Sequence, residues 1–582
     1  MTRRDRAVIA VLVLLMGALA VAIGIQSIPP SDGPDGPSPS TVVARPYVEG
    51  VVGRATSVSP LSARSEVERE LVALVFSGLL RNGPGGTLVG DLADQWTFEP
   101  DGSSATFRLR DDAHWQDGVA VTAADVAFTV ATLRDPEYTG PGAASWREVA
   151  FEVIDERTIR FGLKTPLGGF LQAATQPIVP AHLLRDTPLA ELADGAFGRN
   201  PIGSGPFRLV SLTDAEAVLA PAGHAPTIDP GAALTEPAVP TAPAAPTAPE
   251  VLEPSPTALN FEPIPYLEGM TFRFFDTIEE VAAAYEAGDL DVASGLSLED
   301  AARLGAAPDS RVLRYPTTTL TAVVLNLRPD RPLFRAMEVR RALLAAIDRA
   351  AIVAGPFHGF GSVADSPIPP TSWAFDAASS PSIAFDSSTA VSELLKAGWT
   401  KVEGQLRPPA AVDAFSLELI YPESASGFAG SVADAIAAGW STVGVTTAAV
   451  PLPAADFSGA RLREGDFDAA VLSISIGLDP DLYPLLASTQ AVHGGSNVSG
   501  VQDRVLDGLL EAARRPGTDD ERLAAYKALQ VHLAERQYLL PVAFRELVVV
   551  ARDTLSGPQI RTLGDPGDRF WDVLTWRLAY DP

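Results

Sequence analysis

The feature that most constrains this chain is the segment from Trp96 to Gly140, together with the LADQW that leads into it. Apolar and polar residues alternate from Thr106 to Arg110, which predicts a strand, and Asp117-Gly118 predicts a turn. Thr122 to Asp125 then has the spacing of a capping box, so a helix should start there. Its apolar face comprises Val126, Val130 and Leu133.

This strand, turn and helix resemble the extracellular solute-binding proteins of family 5, the dipeptide- and oligopeptide-binding partners of ABC importers. In that family the segment contains LA-x-x-W, DG-x-x-Y-x-F-x-LR, a short W- or F-x-DG, and an LTA-x-DV-x-F helix. Further matches follow in the same order, so the resemblance covers most of residues 45 to 582. They lie at Asn200 to Phe207, Met270 to Asp291, Leu320 to Ile352 and Ser392 to Asp553.

Composition excludes some classes of protein. The net charge of −28 comes from 72 acidic and 44 basic residues and disfavours nucleic-acid binding, which needs a basic face. The chain has no cysteine, which rules out disulfides, thiolate catalysis and cysteine-based metal sites. It also lacks the G-x-S-x-G, H-E-x-x-H and G-x-x-x-x-G-K-[ST] motifs. We therefore expect that the protein is not an enzyme and binds no cofactor.

The N-terminus predicts an export segment. Three arginines precede an apolar run from Ala7 to Ile25, whose length lies between a signal-peptide core and a membrane-spanning helix. Because no clear cleavage site follows, residues 1–28 are expected to be a signal peptide or, by preference, an uncleaved signal anchor, with a flexible linker at 29–44. The protein would then lie on the extracytoplasmic face of a bacterial cell membrane, secreted or anchored by this helix.

The resemblance implies an α/β fold: a periplasmic-binding-protein-like clam of two lobes (type II, cluster C-like) with an extra subdomain on lobe I. The chain should cross between the lobes near Leu325-Asn326 and Pro541-Val542. Residues 221–265 depart from the family pattern, and their Pro/Ala/Thr-rich composition predicts a disordered insertion. The expected parts are 45–60, 200–325 and 543–582 for lobe I, 61–199 for the extra subdomain, and 328–540 for lobe II.

The match from Leu320 to Ile352 contains a predicted helix with a core-facing stripe, namely Val339, Leu343, Ala346 and Ile347. On the same helix, the resemblance implies that Arg340 is a structural partner of acidic groups rather than a ligand contact.

The resemblance also implies where a ligand would lie. Peptide-binding members hold the peptide extended between the lobes, with its amino terminus on an aspartate three residues before an acidic-Pro pair. Aligning that pair on Asp479-Pro480 places Ile476 at the aspartate's position, so this anchor is missing. Asp479 or Asp481 could substitute for it, but the simpler interpretation is a ligand that is not a peptide with a free amino terminus, or a pocket that has changed use. The candidate ligand-binding residues are Arg64, Ser65 and Glu66, in the loop that starts near Ser62, with Trp373, Gly477, Leu478, Asp479 and Asn497.

Together these features predict a monomeric, non-catalytic solute-binding protein that captures a peptide or peptide-like ligand and delivers it to ABC permease subunits. Two alternatives stay open. The probable anchor helix, the missing lipid-bearing cysteine and Ile476 also fit a membrane-tethered sensor or envelope protein that retains the fold without transport. Because some family members bind nickel complexes or haem, His358 or His493 could instead serve a metal chelate.

Overall fold

The computed structural model describes residues 46–99, 101–192, 196–223, 267–409, 415–423, 427–492 and 495–579. The expected signal segment at 1–28 and linker at 29–44 lie outside these ranges. Of the expected insertion at 221–265, only residues 221–223 are described, and His493 also falls outside.

The described chain contains both strands and helices in mixed order, as expected of an α/β fold. The strands are β1 Tyr47–Val52, β2 Leu80–Asn82, β3 Leu88–Gly90, β4 Ala93–Phe98, β5 Ser104–Leu109, β6 Val149–Val153, β7 Thr158–Leu163, β8 Phe207–Leu212, β9 Glu216–Pro221, β10 Met270–Phe275, β11 Val292–Ala293, β12 Ser310–Leu325, β13 Gly361–Val363, β14 Thr400–Val402, β15 Gln405–Arg407, β16 Leu417–Pro422, β17 Thr447–Leu452, β18 Ala469–Ser475, β19 Leu539–Arg552, β20 Leu555–Ser556 and β21 Arg577–Leu578. The helices are α1 Glu66–Val75, α2 Ala123–Arg134, α3 Ala143–Trp146, α4 Phe170–Ala173, α5 Ala181–Leu184, α6 Leu189–Leu192, α7 Ile278–Glu286, α8 Leu298–Leu304, α9 Met337–Ala345, α10 Arg349–Ala354, α11 Ser387–Lys396, α12 Phe428–Thr442, α13 Ala454–Asp456, α14 Tyr483–Leu486, α15 Arg504–Arg514 and α16 Asp519–Arg536.

Two long antiparallel strands, β12 and β19, connect the lobes. They belong to one sheet of order β17-β16-β18-β12-β19-β11-β1-β10-β9-β8, with β13 paired to β19 off this path. Their register shifts between Pro316 and Leu320. Before this shift β19 pairs with β11 of lobe I, and after it β12 pairs with β18 of lobe II. Of the expected crossing points, Leu325 is the last residue of β12, and Pro541-Val542 lies near the start of β19.

The segment from Trp96 to Gly140 lies in the extra subdomain. Its four antiparallel strands have the order β4-β5-β7-β6, and α2 follows β5 as predicted. The three predicted apolar residues of α2 are fully buried. The carboxylate of Asp125 accepts hydrogen bonds from the Thr122 N–H at 2.8 Å and from the Ala181 N–H at 2.8 Å, so the predicted cap also joins α2 to α5.

A buried ionic cluster holds lobe I together. Arg569 donates through Nε to Glu70 of α1 and through Nη2 to Glu49 of β1, both at 2.7 Å. Tyr47 donates its hydroxyl to the other oxygen of Glu49 at 2.6 Å. These residues are at most 2% exposed, so each buried charge has the partner that burial requires. The cluster ties α1, which the sequence places in the extra subdomain, directly to lobe I.

The predicted core stripe is buried, because its four residues are at most 2% exposed; Val339 and Leu343 lie in α9, and Ala346 and Ile347 directly follow its end. Arg340 is structural, but its partners are not acidic groups. Its guanidinium donates to the backbone carbonyls of Arg536, Phe334 and Arg335, each at 2.8 Å. These carbonyls lie at chain turns and helix ends, where backbone acceptors lack helical partners.

Candidate functional site

Three of the sequence-predicted residues meet at the interface between the lobes. Trp373, Gly477 and Leu478 of lobe II surround a void of about 10 Å³ with Gly86 and Thr562 from the lobe I side. Gly477 has a φ of +84°, a backbone conformation that favours glycine, and its N–H donates to the Thr318 hydroxyl at 3.2 Å. The lobes therefore touch closely here.

Asp479 follows Leu478 in the chain, and its carboxylate already forms an ion pair. Arg522 of α16 donates to its two carboxylate oxygens at 2.9 and 2.8 Å. The same guanidinium stacks on Trp373, 4.7 Å from the ring centroid, and Tyr526 packs edge-on against that ring at 5.3 Å. Asp479, Arg522 and Trp373 thus form one stacked unit, with Trp373 still 36% exposed.

Asp481, the other possible substitute for the missing amino-group anchor, is also paired. Its carboxylate lies 3.0 Å from the guanidinium of Arg514, which stacks on the Tyr483 ring at 4.2 Å. Burial raises the pKa of Asp481, and Arg514 opposes that rise. Ile476 is 8% exposed and packs in a hydrophobic cluster.

Arg64, Ser65 and Glu66 lie at the exposed start of α1. Ser65 caps this helix by accepting the Glu68 N–H at 3.2 Å. Burial alone would raise the pKa of Glu68, but hydrogen bonds from the backbone of Arg64, Ser65 and Thr56 lower it overall. Burial lowers the pKa of Arg545 on strand β19, and the negative charge of Glu66 partly opposes this fall.

Asn497 is not at the lobe interface. It is 2% exposed, and its amide nitrogen donates to the carbonyls of Ala487 and Val501 at 3.0 Å each. Its amide oxygen accepts from the Ser499 hydroxyl at 2.8 Å and from the Gly500 N–H at 3.0 Å. The amide nitrogen and the amide oxygen of Asn497 therefore both form hydrogen bonds within residues 487–501, and these bonds stabilise that loop.

Sequence reasoning missed a cavity of about 380 Å³ in lobe I. It lies between α1, the extra subdomain and the C-terminal segment, and a volume of this size suits a small ligand. No motif marks it, because its walls come from distant stretches of chain. The lining includes Val72, Phe76, Arg81, Asp91, Trp146, Gln172, Asp565, Asp568, Phe570 and Trp571.

One short segment separates this cavity from the lobe interface. Asp568 lines the cavity, while Gly564 faces Leu478 of lobe II so closely that a Cβ there would lie 3.0 Å from the leucine side chain. The Asp568 carboxylate accepts the N–H of Gly564 at 2.9 Å, which joins the two sides of the segment.

Among the described residues, His, Asp and Glu side chains form no group of three or more that could hold a metal ion. His358 lies exposed on a turn with a φ of +48°. The described helices include none that is long and apolar enough to cross a membrane.

Residues 87–495 match the family model "Bacterial extracellular solute-binding proteins, family 5 Middle". The chain belongs to this family. Among curated family 5 relatives, the oligopeptide-binding protein AppA of Bacillus subtilis (strain 168) is 23% identical over 544 residues, which is 91% of each chain.

Two solved family 5 structures show the same fold. NikZ from Campylobacter jejuni in complex with Ni(L-His) is 22% identical with a TM-score of 0.70, covering 91% of this chain and 99% of that one. AppA from Bacillus subtilis in complex with a nonapeptide is 20% identical with a TM-score of 0.69, covering 92% and 100%. The expected two-lobe clam is therefore confirmed.

Proposed function

We propose that this protein captures a small peptide or peptide-like ligand between its two lobes and delivers it to an ABC importer. The observation that carries this proposal is the family match across residues 87–495 on a fold in which two long paired strands, β12 and β19, join the lobes. A few torsions near the register shift at Pro316 can then move one lobe against the other, which is how hinged binding proteins close.

The names of the similar proteins support the ligand class. AppA of Bacillus subtilis is an oligopeptide-binding protein, and another relative in Escherichia coli (strain K12) is a probable D,D-dipeptide-binding periplasmic protein, 28% identical over half of this chain. Family 5 proteins work outside the cytoplasm. For this chain we infer tethering through its N-terminal segment, a monomeric state and permease subunits as partners.

The proposed lobe II contact surface comprises Trp373, Gly477, Leu478 and the Asp479 that orients Arg522. The stacked indole is partly exposed and offers a flat apolar face, and the Gly477 carbonyl and the Leu478 backbone can pair with an extended ligand. On the lobe I side we propose Arg64, Ser65 and Glu66, whose side chains are exposed at the start of α1.

Native mass spectrometry of the full chain, purified gently from the cell envelope, tests this proposal. A co-purified small molecule is expected, and it should raise the melting temperature of ligand-free protein because it binds the folded state preferentially. Thermal-shift screening with peptides, sugars and metal chelates identifies its class. An empty protein that no solute stabilises would contradict the proposal.

A further inference from the structure

A direct contact joins the extra subdomain to lobe II at a loop that carries two adjacent glycines. The N–H of Gly168 donates to the carbonyl of Arg514 at 2.9 Å. Arg514 is the last residue of α15, and the last carbonyls of a helix have no partner within it. The extra subdomain therefore supplies a hydrogen bond that α15 cannot make on its own.

The two glycines of this loop matter for their small size rather than for their backbone conformation. Neither has a positive φ, and the φ of −85° at Gly169 is open to other residues. A Cβ on Gly169 would lie 2.9 Å from the Asp479 side chain, and one on Gly168 would lie 2.8 Å from the carbonyl oxygen of Arg515. At each position the three nearest atoms all belong to lobe II. A larger residue would therefore push lobe II away from the extra subdomain.

Two glycines of lobe I receive the neighbouring residue of lobe II in the same way. A Cβ on Gly564 would lie 3.0 Å from the Leu478 side chain, and one on Gly86 would lie 3.9 Å from it. Leu478 is 7% exposed in this arrangement. We call Gly86, Gly168, Gly169 and Gly564 the glycine recess, because the side chains of lobe II enter the space that these residues leave open.

Both sides of this contact are fixed within their own lobes. Phe170, which follows the glycine pair, is 2% exposed and packs edge-on against Trp146 and Phe161, with ring centroids 5.6 and 6.0 Å apart. On the lobe II side, Arg522 holds the two carboxylate oxygens of Asp479 at 2.9 and 2.8 Å. Because neither surface can yield easily, an added methyl group would destabilise the contact by overpacking.

We propose that the glycine recess is an intramolecular latch, which receives Leu478 and the Asp479–Arg522 pair and holds part of the population closed before any ligand binds. Asp479 then has a role in closure besides its orientation of Arg522. A ligand that binds the closed form binds more tightly when that form is already populated, so the latch would set the apparent affinity. The inference rests on the proposed function for this last consequence only.

Spin labels on either side of the contact test the latch without a ligand. The chain has no cysteine, so labels can be placed at Ile154→Cys, between β6 and β7 of the extra subdomain, and at Val531→Cys on α16 of lobe II. Both positions are exposed. Electron–electron double resonance of the ligand-free full chain should show a short and a long distance. Gly169→Ala should lower the ratio of the short to the long population about tenfold, the size of effect expected from overpacking a tight contact.

A double-mutant cycle shows whether this effect passes through the contact. Because the atoms nearest to a Cβ at Gly169 belong to Asp479, Gly169→Ala should change the ratio much less in an Asp479→Ala background. Gly564→Ala meets Leu478 instead, so it should shift the ratio in the same direction, and it replaces Gly169→Ala if that variant does not fold. Gly508→Ala is the matched control, since a Cβ at this exposed position of α15 would meet nothing within 4 Å.

A single long distance in the chain that carries only the labels would overturn the inference. The same would follow if Gly169→Ala and Gly564→Ala gave the ratio seen with Gly508→Ala. Either result would leave ligand capture by closure intact. A latch that responds as predicted, in a protein that no solute stabilises, would contradict the proposed function and leave the inference standing.

Discussion

At the scale of single residues, the Glu49–Arg569–Glu70 cluster makes the stability of lobe I depend on pH. Two buried carboxylates share one buried guanidinium. Burial raises the pKa of Glu70 to about 8, although Arg569 pulls it down. An unfolded glutamate has a pKa of about 4.3, so the folded state binds this proton more tightly. The free energy of unfolding should therefore decline as the pH rises from about 4 through about 8.

Substituting Glu70→Gln should flatten this decline, because glutamine resembles the protonated acid and does not titrate. Urea unfolding at pH 5, 6, 7 and 8 measures the slope for both proteins. Asp572, whose pKa burial raises to about 6, contributes in the same direction and keeps part of the slope in the variant. Glu279→Gln, at an exposed position of α7, controls for loss of a surface charge. Parallel curves for E70Q and wild type would show that Glu70 does not titrate in this range.

The stacked unit of Asp479, Arg522 and Trp373 gives a second residue-scale prediction. Asp479→Ala should weaken binding of the co-purified solute about tenfold, because Arg522 loses the carboxylate that holds it on Trp373. Asp481→Ala removes an equivalent ion pair from the same loop without touching Trp373, so it should lower stability and leave affinity unchanged. Equal affinities for D479A and wild type would remove Asp479 from the proposed binding surface.

At the scale of elements, the start of α2 combines a cap with a tertiary contact. Asp125→Ala would leave the N–H groups of Thr122 and Ala181 without their acceptor at a buried position. We expect a loss of about 2–4 kcal/mol in the free energy of unfolding, from the cap and from a newly unsatisfied buried donor. Urea denaturation measures it, with Asp101→Asn in an exposed turn as the control. A loss below about 0.5 kcal/mol would mean that neither contact matters.

Elements with strong local signals could be predicted from the sequence. The alternation before Arg110 and the cap at Thr122 led to the observed β5 and α2, because each depends on neighbours in the chain. The hydrogen bonds of Asn497 could not be predicted in this way. Its partners, the carbonyls of Ala487 and Val501, are brought to it only by the folded loop.

At the scale of the whole molecule, the two-lobe fold could be predicted from the family resemblance. The composition of the candidate site could not, because it depends on contacts between residues far apart in the chain. The lobe I cavity joins residues as far apart as Arg81 and Trp571, which no local pattern connects. The register shift between Pro316 and Leu320 likewise depends on which strands pair with β12 and β19, which no local pattern shows.

The central claim is capture of a small molecule by closure of two lobes. The absence of cysteine allows spin labels at two introduced cysteines, Val210→Cys on β8 of lobe I and Leu395→Cys on α11 of lobe II, both at exposed positions. Electron–electron double resonance would measure the distance between these labels in ligand-free protein and at saturation with the stabilising solute. We predict a shorter and narrower distance distribution with the solute, and identical distributions would contradict closure on a ligand.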